Sequence, residues 1–168
     1  MENVLFALFA AILLIVSTLT MALTSLRSVN TIGQSFKTFE AQSVEIRNTS
    51  IDVNFLALRD GTLVVDVTNS GQTDLSQFDQ WNVLVQRTNG QVTNLSYVAN
   101  AQPGANQWEA QGIFLASGAP EVFDPGIFNP DEIMRLALSI NPPPQTGESF
   151  RVIVSTPNGV TAQCMFTI

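Results

Sequence analysis

The hydrophobic positions of the chain follow two different periods, and the change comes near residue 50. Residues 3–26 contain no ionisable side chain, no Gly and no Pro. A helix of this length spans roughly 36 Å, slightly more than the ~30 Å hydrocarbon core of a bilayer. Its apolar side chains surround the axis, whereas a soluble amphipathic helix keeps a polar face. The pattern predicts a helix that is buried on all sides, in a membrane or in a filament core.

The second half of this helix carries a narrower apolar stripe. Leu26, Val29, Ile32, Phe36 and Phe39 recur at spacings of three and four over polar neighbours, which is a helical period. One helix is therefore expected from about residue 2 to about residue 45, roughly 65 Å long. Such a stripe needs a neighbour, which is either a set of other helices or the chain's own second domain.

From Ile51 onward apolar and polar residues alternate, which is the period of a β-strand. Asp60-Gly61, Asn89-Gly90 and Asn158-Gly159 are tight hairpin signals. They help to separate seven or eight short strands, which are expected within Ile51–Ala57, Leu63–Val67, Trp81–Val85, Val92–Val98, Gln111–Ala116, Met134–Ile140, Phe150–Val154 and Val160–Ile168.

The order of these elements predicts the fold class. We expect an α+β protein with a long N-terminal apolar α-helix followed by an immunoglobulin-like antiparallel β-sandwich. The corresponding domains are residues 1–48, the helix, and residues 49–168, the sandwich.

Charge is concentrated in the second domain. From residue 51 onward there are eleven acidic residues, four arginines and no lysine, so this region accounts for the whole formal net charge of −7. An acidic domain of this kind has no electrostatic footprint for nucleic acid, and anionic lipid would repel it. The charge therefore predicts a solvated outer surface and no nucleic-acid partner.

The side chains needed for common active sites are missing from the sequence. The chain has no histidine and one cysteine, Cys164, which excludes a Ser-His-Asp triad, a Cys-His pair and a His/Cys zinc site. No phosphate-binding glycine loop occurs. The run Asp66, Asn69, Ser70, Thr73 and Asp74 offers oxygen ligands for a hard cation, but a turn between strands accounts for it more simply. We predict no enzyme activity, no cofactor, and no catalytic or metal site.

Two tripeptides fit the N-glycosylation acceptor pattern, and they begin at Asn48 and Asn94. Placement of these asparagines outside the cell would make their modification feasible. Cys164 alternates with apolar residues near the chain end, which favours a small buried side chain over a reactive thiol.

Three interpretations of the N-terminal segment compete. A cleaved secretory signal normally has a basic region before a shorter apolar run. A plain anchor would follow the positive-inside rule, and since Arg27, Lys37 and Arg47 all come after the apolar segment, the sandwich would then be cytoplasmic. A short basic leader that once preceded residue 1 would instead place the sandwich outside the cell. We favour the removed leader.

The whole plan resembles the archaellins, the filament subunits of the archaellum, which are related to type IV pilins. The resemblance rests on the apolar helix, its amphipathic continuation, the acidic β-domain and a few local segments, which are Val67–Leu75 with Phe78 and Trp81–Val85, Phe128–Glu132, and Ser155–Val160. Type IV pilins usually carry a glutamate at the fifth mature position and a proline further along the helix. This chain has Leu5 there and no proline before Pro103, which favours the archaellin branch.

The resemblance implies a structural subunit of an extracellular archaellum or type IV pilus-like filament for motility or adhesion. It implies a membrane-inserted precursor, a prepilin-peptidase-like enzyme, an assembly ATPase, a polytopic platform protein, and the chain itself as the partner in a helical polymer with a glycosylated surface. The helix residues expected in the filament core are Val4, Leu5, Phe6, Leu8, Phe9, Ile12, Leu13, Ile15, Val16, Leu19, Leu26, Val29, Ile32 and Phe36.

Two alternatives share the architecture. A membrane-anchored accessory protein, such as a stator component or a minor pilin, would have the helix and the sandwich without polymerising alone. An adhesion or binding module would contact glycans or cell-wall proteins through its loops. An exposed aromatic cluster of Trp108, Phe114, Phe123 and Phe128 would favour that module.

Overall fold

The structure, a computed structural model, describes the backbone of residues 2–168 and the side chains of residues 7–168. The described residues form one α-helix, one short 3-10 helix and eight strands. They are α1 (Glu2–Asn48), β1 (Ile51–Arg59), β2 (Thr62–Asn69), η1 (Phe78–Gln80), β3 (Asn82–Arg87), β4 (Val92–Tyr97), β5 (Gln107–Phe114), β6 (Ile133–Ser139), β7 (Ser149–Ser155) and β8 (Thr161–Thr167).

The strands form the two layers of an antiparallel sandwich. One layer has the order β1-β2-β6-β5 and the other has the order β4-β3-β7-β8. This is the plan of immunoglobulin domains, with the ABED sheet, the CFG sheet and one additional strand beside C. The predicted fold class, a long apolar helix followed by an immunoglobulin-like sandwich, is confirmed.

The two layers are joined along one side and packed along the other. Ser96 and Tyr97 of β4 pair in parallel with Gln107 and Trp108 of β5, which links the layers through hydrogen bonds. On the opposite side β1 and β8 meet through side chains, and the ring centroids of Phe55 and Phe166 lie 3.9 Å apart in a stacked arrangement. The eight strands therefore make a nearly closed sheet.

The core lies between the layers and consists of the inward residues of each strand. Alternation is clearest on β7, where every second residue from Phe150 to Val154 is buried. The largest fully buried side chains are Trp108, Phe128, Phe150, Leu63, Met134, Leu136 and Leu138. Burying one such side chain contributes on the order of 2 kcal/mol, so the alternating positions seen in the sequence are the ones that hold the layers together.

The Asp-Gly hairpin was predicted correctly, and its backbone shows why. Asp60 and Gly61 both have positive φ angles, 48° and 78°, as a two-residue hairpin loop with the matching twist requires. By contrast, the expected strand at Gln111–Ala116 was placed wrongly. The strand β5 begins four residues earlier, at Gln107, and its register shifts between Ala110 and Gly112. That irregularity breaks the alternation that would have marked the first half of the strand.

The chain divides into two compact units, Met1–Ser43 and Val44–Ile168. The last turn of α1 thus belongs to the same unit as the sandwich. The helix itself ends at Asn48, three residues beyond the end expected from its apolar stripe.

Candidate assembly surface

The described side chains of α1 leave a large apolar surface uncovered. Each large apolar residue from Leu8 to Phe39 is at least half exposed, and Met21 reaches 75%. No charged side chain interrupts this surface before Arg27, the first ionisable residue after Glu2. Water does not favour such a surface. The helix therefore requires an apolar environment, which lipid or neighbouring helices can supply.

One face of the same helix carries hydroxyl side chains that sequence analysis missed. Each hydroxyl donates a hydrogen bond to the backbone carbonyl oxygen four residues earlier, at 2.7–3.1 Å. The residues of this hydroxyl face are Thr20, Thr24, Ser28, Thr31, Ser35 and Thr38. Their spacing of three and four places them on one side of the helix, away from the stripe of Leu26, Val29 and Ile32. Because the hydroxyls are satisfied within the helix, they tolerate an apolar environment. Small side chains also allow close approach of another helix.

The last turn of α1 is fixed to the sandwich by hydrogen bonds. The Asn158 side-chain amide, in the β7–β8 turn, donates to the Thr49 hydroxyl at 2.8 Å and to the Glu45 carboxylate at 3.5 Å. Thr49 is buried and its hydroxyl donates in turn to the Glu45 carbonyl at 2.8 Å. Gln72 donates its backbone N–H to the carbonyl of Asn48 at 2.7 Å, which satisfies one of the free carbonyls at the helix end.

A buried asparagine organises the loop that receives this turn. Asn69 is fully buried, and its amide nitrogen donates to the carbonyls of Thr73 and Phe128 at 2.9 and 3.0 Å. Its side-chain oxygen accepts the backbone N–H of Gly71 at 3.1 Å. Since a buried polar group must be paired, Asn69 fixes where Gly71 lies, and through Gly71 the position of the helix end.

The predicted filament-core residues fall into two groups. The side chains of Val4, Leu5 and Phe6 lie outside the described residues. The others are exposed on α1, with exposures between 52% and 69% for the members Leu8, Phe9, Ile12, Leu13, Ile15, Val16, Leu19, Leu26, Val29, Ile32 and Phe36.

The two candidate glycosylation sites are both exposed, Asn48 at the end of α1 and Asn94 on β4. Asn94 lies on the outer face of its sheet, opposite Leu84 of β3. Both asparagines are accessible to a modifying enzyme, and the modification itself stays a prediction.

The exposed aromatic cluster that would have favoured an adhesion module is not formed. Trp108 and Phe128 are fully buried in the core, and Phe114 is half-buried beneath the guanidinium of Arg135 at 4.9 Å. Only Phe123 is freely exposed, at 92%. The sequence did not distinguish these four aromatic residues from one another. In the structure, Trp108 and Phe128 fill the space between the sheets.

Two members of the polar run at the end of β2 and in the turn after it are engaged in other contacts. Asp66 forms a bidentate ion pair with Arg135, with distances of 2.8 and 3.0 Å, and Asn69 is engaged inside the loop. Among the residues that the structure describes, no group of three or more Asp, Glu or Cys side chains is arranged to hold a metal ion.

A second ion pair lies at the end of the sandwich opposite the β7–β8 turn. The buried guanidinium of Arg87 donates to the Glu148 carboxylate at 2.8 Å and to the carbonyl of Pro142, and it lies 5.2 Å from the ring centre of Phe150. Both ion pairs join residues more than sixty positions apart in sequence, so they link segments that are distant along the chain.

By length and composition, the segment Ala7–Asn48 is capable of crossing a membrane. Signal sequences pass the same test, so this finding is compatible with each of the three interpretations of the N-terminus. It agrees with the exposure of the apolar side chains on the helix.

No family model and no curated protein matches the sequence. Solved structures do share the fold. The archaellum periplasmic stator protein FlaG from Sulfolobus acidocaldarius is 18% identical with a TM-score of 0.54, over 70% of this chain and 99% of that chain. The stator complex of FlaF and FlaG from the same organism gives 19% identity and a TM-score of 0.53, over 69% of this chain and 87% of that chain.

The archaeal flagellum of Methanospirillum hungatei strain JF1 is 16% identical with a TM-score of 0.59, over 96% of this chain and 92% of that chain. Identities of this size establish the fold alone. The chain therefore has the fold of known archaellum components, both a filament and a periplasmic stator.

Proposed function

We propose that this chain is a structural subunit that polymerises through its N-terminal helix into an archaellum-type filament outside the cell. Residues 1–48 are inserted in the membrane before assembly and lie in the filament core afterwards, and residues 49–168 form the filament surface. The observation that carries the proposal is the exposure of the large apolar side chains of α1 from Leu8 to Phe39, together with the hydroxyl face that suits close helix packing.

The energetics of burial support insertion of the helix in the membrane before its transfer into the filament core. Moving one Leu or Phe side chain from water into an apolar environment contributes on the order of 2 kcal/mol. Moving it from lipid into a helix bundle contributes much less, since lipid is equally apolar, and association then depends on small side chains and close packing. Once a filament stands in water, releasing a subunit would expose Leu8 to Phe39 again. Such a filament resists dissociation without detergent.

The fold likeness to a filament extends over almost the whole chain, so it includes the helix as well as the sandwich. The likeness to the archaeal flagellum extends over 96% of this chain, and the likeness to FlaG over 70%. Assembly would use a prepilin-peptidase-like enzyme, an ATPase and a platform protein in the membrane. The chain would act as a structural protein and not as an enzyme.

A stator-like accessory protein is the second candidate. One observation favours it: the likeness to FlaG covers 99% of that chain at a TM-score of 0.54, so the sandwich by itself matches a periplasmic stator. In that role α1 would stay in the membrane as an anchor, and the sandwich would contact other archaellum proteins.

Electron microscopy of filaments sheared from producing cells tests the proposal, combined with N-terminal sequencing of the main protein band. We expect thin filaments whose main subunit is this chain. Retention of all the protein in the membrane fraction, with no polymer, would favour the stator-like role instead.

A pair of variants at one helix position sharpens this test. Ala10→Asp places a charge in the proposed core and should abolish filaments, and the sandwich should keep its near-ultraviolet circular dichroism. Ala10→Ser is the matched control, because a small hydroxyl at this position is compatible with close packing. Normal filaments from the Ala10→Asp variant would contradict core placement of the helix.

A further inference from the structure

The most exposed apolar side chains of the sandwich lie at the tip of the loop between β5 and β6. Phe123 is 92% exposed and its neighbour Val122 is 77% exposed. The other large aromatics of the sandwich pack in the core or at its margin, so this pair is an exception. Exposed apolar groups on a polar surface mark interaction sites.

The loop holds this tip in one shape. One carboxylate oxygen of Glu121 accepts the backbone N–H groups of Val122, Phe123 and Asp124 at 2.9, 2.7 and 3.3 Å. Hydrogen bonds from these N–H groups, with that of Phe123 first, keep the pKa of Glu121 below its ordinary value. The carboxylate is therefore charged at neutral pH, and its hydrogen bonds hold the backbone on either side of the exposed Phe123. Ordering a tip in advance lowers the entropy cost of binding.

A groove lies on the outer side of the β3-β7-β8 sheet. Gln86, Arg151 and Met165 are register neighbours across the three strands and line it. Its volume is about 270 Å³, and an apolar cavity of roughly 150 Å³ can hold a benzene molecule. Met165 is 65% exposed there. The groove thus has room for one phenyl ring and offers it the polarisable thioether of Met165, beside the polar and charged side chains that form most of its lining.

The charges of the loop and of the groove are complementary. The outward residues of β3, β4, β7 and β8 include Arg151 and no acidic side chain. Arg151 forms no salt bridge within the described residues, whereas Arg87 at the edge of the groove is paired with Glu148. The tip of the loop carries Glu121 and Asp124 on either side of Phe123. Arg151 is the charged residue on the outer face of this sheet, so it attracts the acidic tip of the loop.

The loop and the groove lie at opposite ends of the sandwich. The loop pairs with Leu75 through Phe128, near Asn69 and the end of α1. The groove lies beside the β3–β4 turn, where the Thr88 hydroxyl donates to the carbonyl of Ser149. A contact between the two features therefore cannot form within one copy, but it can join one copy to the next.

We propose that Phe123 of one copy inserts into the Arg151–Met165 groove of a second copy, with Asp124 beside Arg151. The contact is heterologous, because different surfaces of the two copies meet, and contacts of this kind build open helical polymers when the rotation does not close a ring. The inference rests on the proposed function, since it names the surface through which neighbouring sandwiches of the filament touch.

Photo-crosslinking in the full-length chain tests this contact. A benzoylphenylalanine is placed at position 123, the assembled protein is irradiated, and the crosslinked peptides are identified by mass spectrometry. Benzophenone reacts readily with methionine side chains, so we expect adducts between copies at Met165 or its neighbours on β7 and β8. Adducts elsewhere, or none, in filaments that do form would overturn the contact and leave the filament role intact.

The same experiment separates the contact from the proposed function. If no filaments form and crosslinked dimers still carry the adduct on β7 or β8, the contact stands and the filament role fails. If neither filaments nor this adduct are found, both fail.

A charge exchange provides an independent test. Arg151→Glu and Asp124→Arg should each weaken the contact, and the release of subunits by dilute detergent should increase several-fold. The double variant restores the opposite charges and should return the release to near that of the original chain. Phe123→Ala should increase the release as well, whereas Leu56→Ala, at an exposed apolar position on β1, is the matched control. Equal release from the Phe123 and Leu56 variants, with no rescue by the double variant, would contradict the contact.

Discussion

Gly71 lies so close to Asn48 that a Cβ atom built on the glycine would stand 2.6 Å from the Asn48 carbonyl oxygen and 2.5 Å from the backbone nitrogen of Ser50. Both neighbours are backbone atoms, which cannot move aside as a flexible side chain can. The absence of a side chain at position 71 therefore lets the end of the helix rest directly on the turn after β2.

Replacing this glycine should loosen the attachment of the last helical turn. We expect Gly71→Ala to lower the free energy of unfolding of the sandwich by about 2 kcal/mol, the usual cost of overpacking. Thermal unfolding in detergent, followed by near-ultraviolet circular dichroism, measures this. Gly126→Ala is the control, since its Cβ atom would meet nothing within 4 Å. Equal unfolding temperatures for the two variants would refute the close-packing argument.

Substitution of the buried Arg87 should lower the free energy of unfolding more than substitution of an exposed arginine. Arg87→Met removes the ion pair with Glu148, the bond to the Pro142 carbonyl and the contact with Phe150. Because the Glu148 side chain remains 35% exposed, water and the N–H of Gln145 would still solvate it, which limits the expected loss to about 2 kcal/mol. The midpoint of urea unfolding checks this value. Arg59→Met is the control, and a comparable loss there would count against the prediction.

The loop that presents Phe123 should depend on pH through Glu121. Its folded pKa is below the ordinary value of 4.5, so the stabilisation is present above that ordinary value and is lost as the pH falls through the lower folded pKa. We expect the amides of residues 122–124 to stay protected from hydrogen exchange at pH 5 to 7 and to lose protection in more acidic solution.

Glu121→Ala should remove the same protection already at neutral pH. Hydrogen exchange followed by mass spectrometry, corrected for the intrinsic pH dependence of exchange, measures both effects. Asp52→Ala on β1 should leave the loop unchanged. Protection that survives in the Glu121→Ala variant would show that other contacts hold the tip.

Cys164 should react slowly with thiol reagents. The residue is half-buried on β8, and burial raises the pKa of its thiol above the ordinary value of 9.0, although a hydrogen bond with the backbone of Val152 opposes part of that effect. Since the thiolate is the reactive form, labelling at pH 8 should be several-fold slower in the folded chain than in urea. Equal rates in the two conditions would show that the thiol is freely accessible.

The sequence predicted the elements that local chemistry determines. Asp60-Gly61 requires a tight turn, and the alternation around Phe150 and Val154 requires a half-buried strand, whatever the rest of the chain does. The strand β5 was placed wrongly because its register irregularity beside Gly112 depends on the partner strand. Local propensity contains no information about that partner.

The candidate surface was predictable only in part. Exposure of the apolar helix follows from its composition, and the hydroxyl face was visible as a spacing of three and four from Thr20 to Thr38. The exposure of Phe123 was not predictable, because Phe128, five residues later, has a similar local sequence and is fully buried. Phe128 is held by contacts that are distant in sequence, since the Asn69 amide donates to its carbonyl from 59 positions away and Leu75 pairs with its backbone.

The stacking of Phe55 on Phe166 limits strand pairing between copies at high protein concentration. Strands at the margin of a sheet can recruit strands from other molecules, and that recruitment leads to amyloid-like aggregation. Here β1 and β8 cover each other through side chains along one side, and β4 pairs with β5 on the other. Copies held at high local concentration would therefore contact one another through side chains and not through backbone hydrogen bonds between strands. Such side-chain contacts are reversible, and single substitutions can weaken or strengthen them.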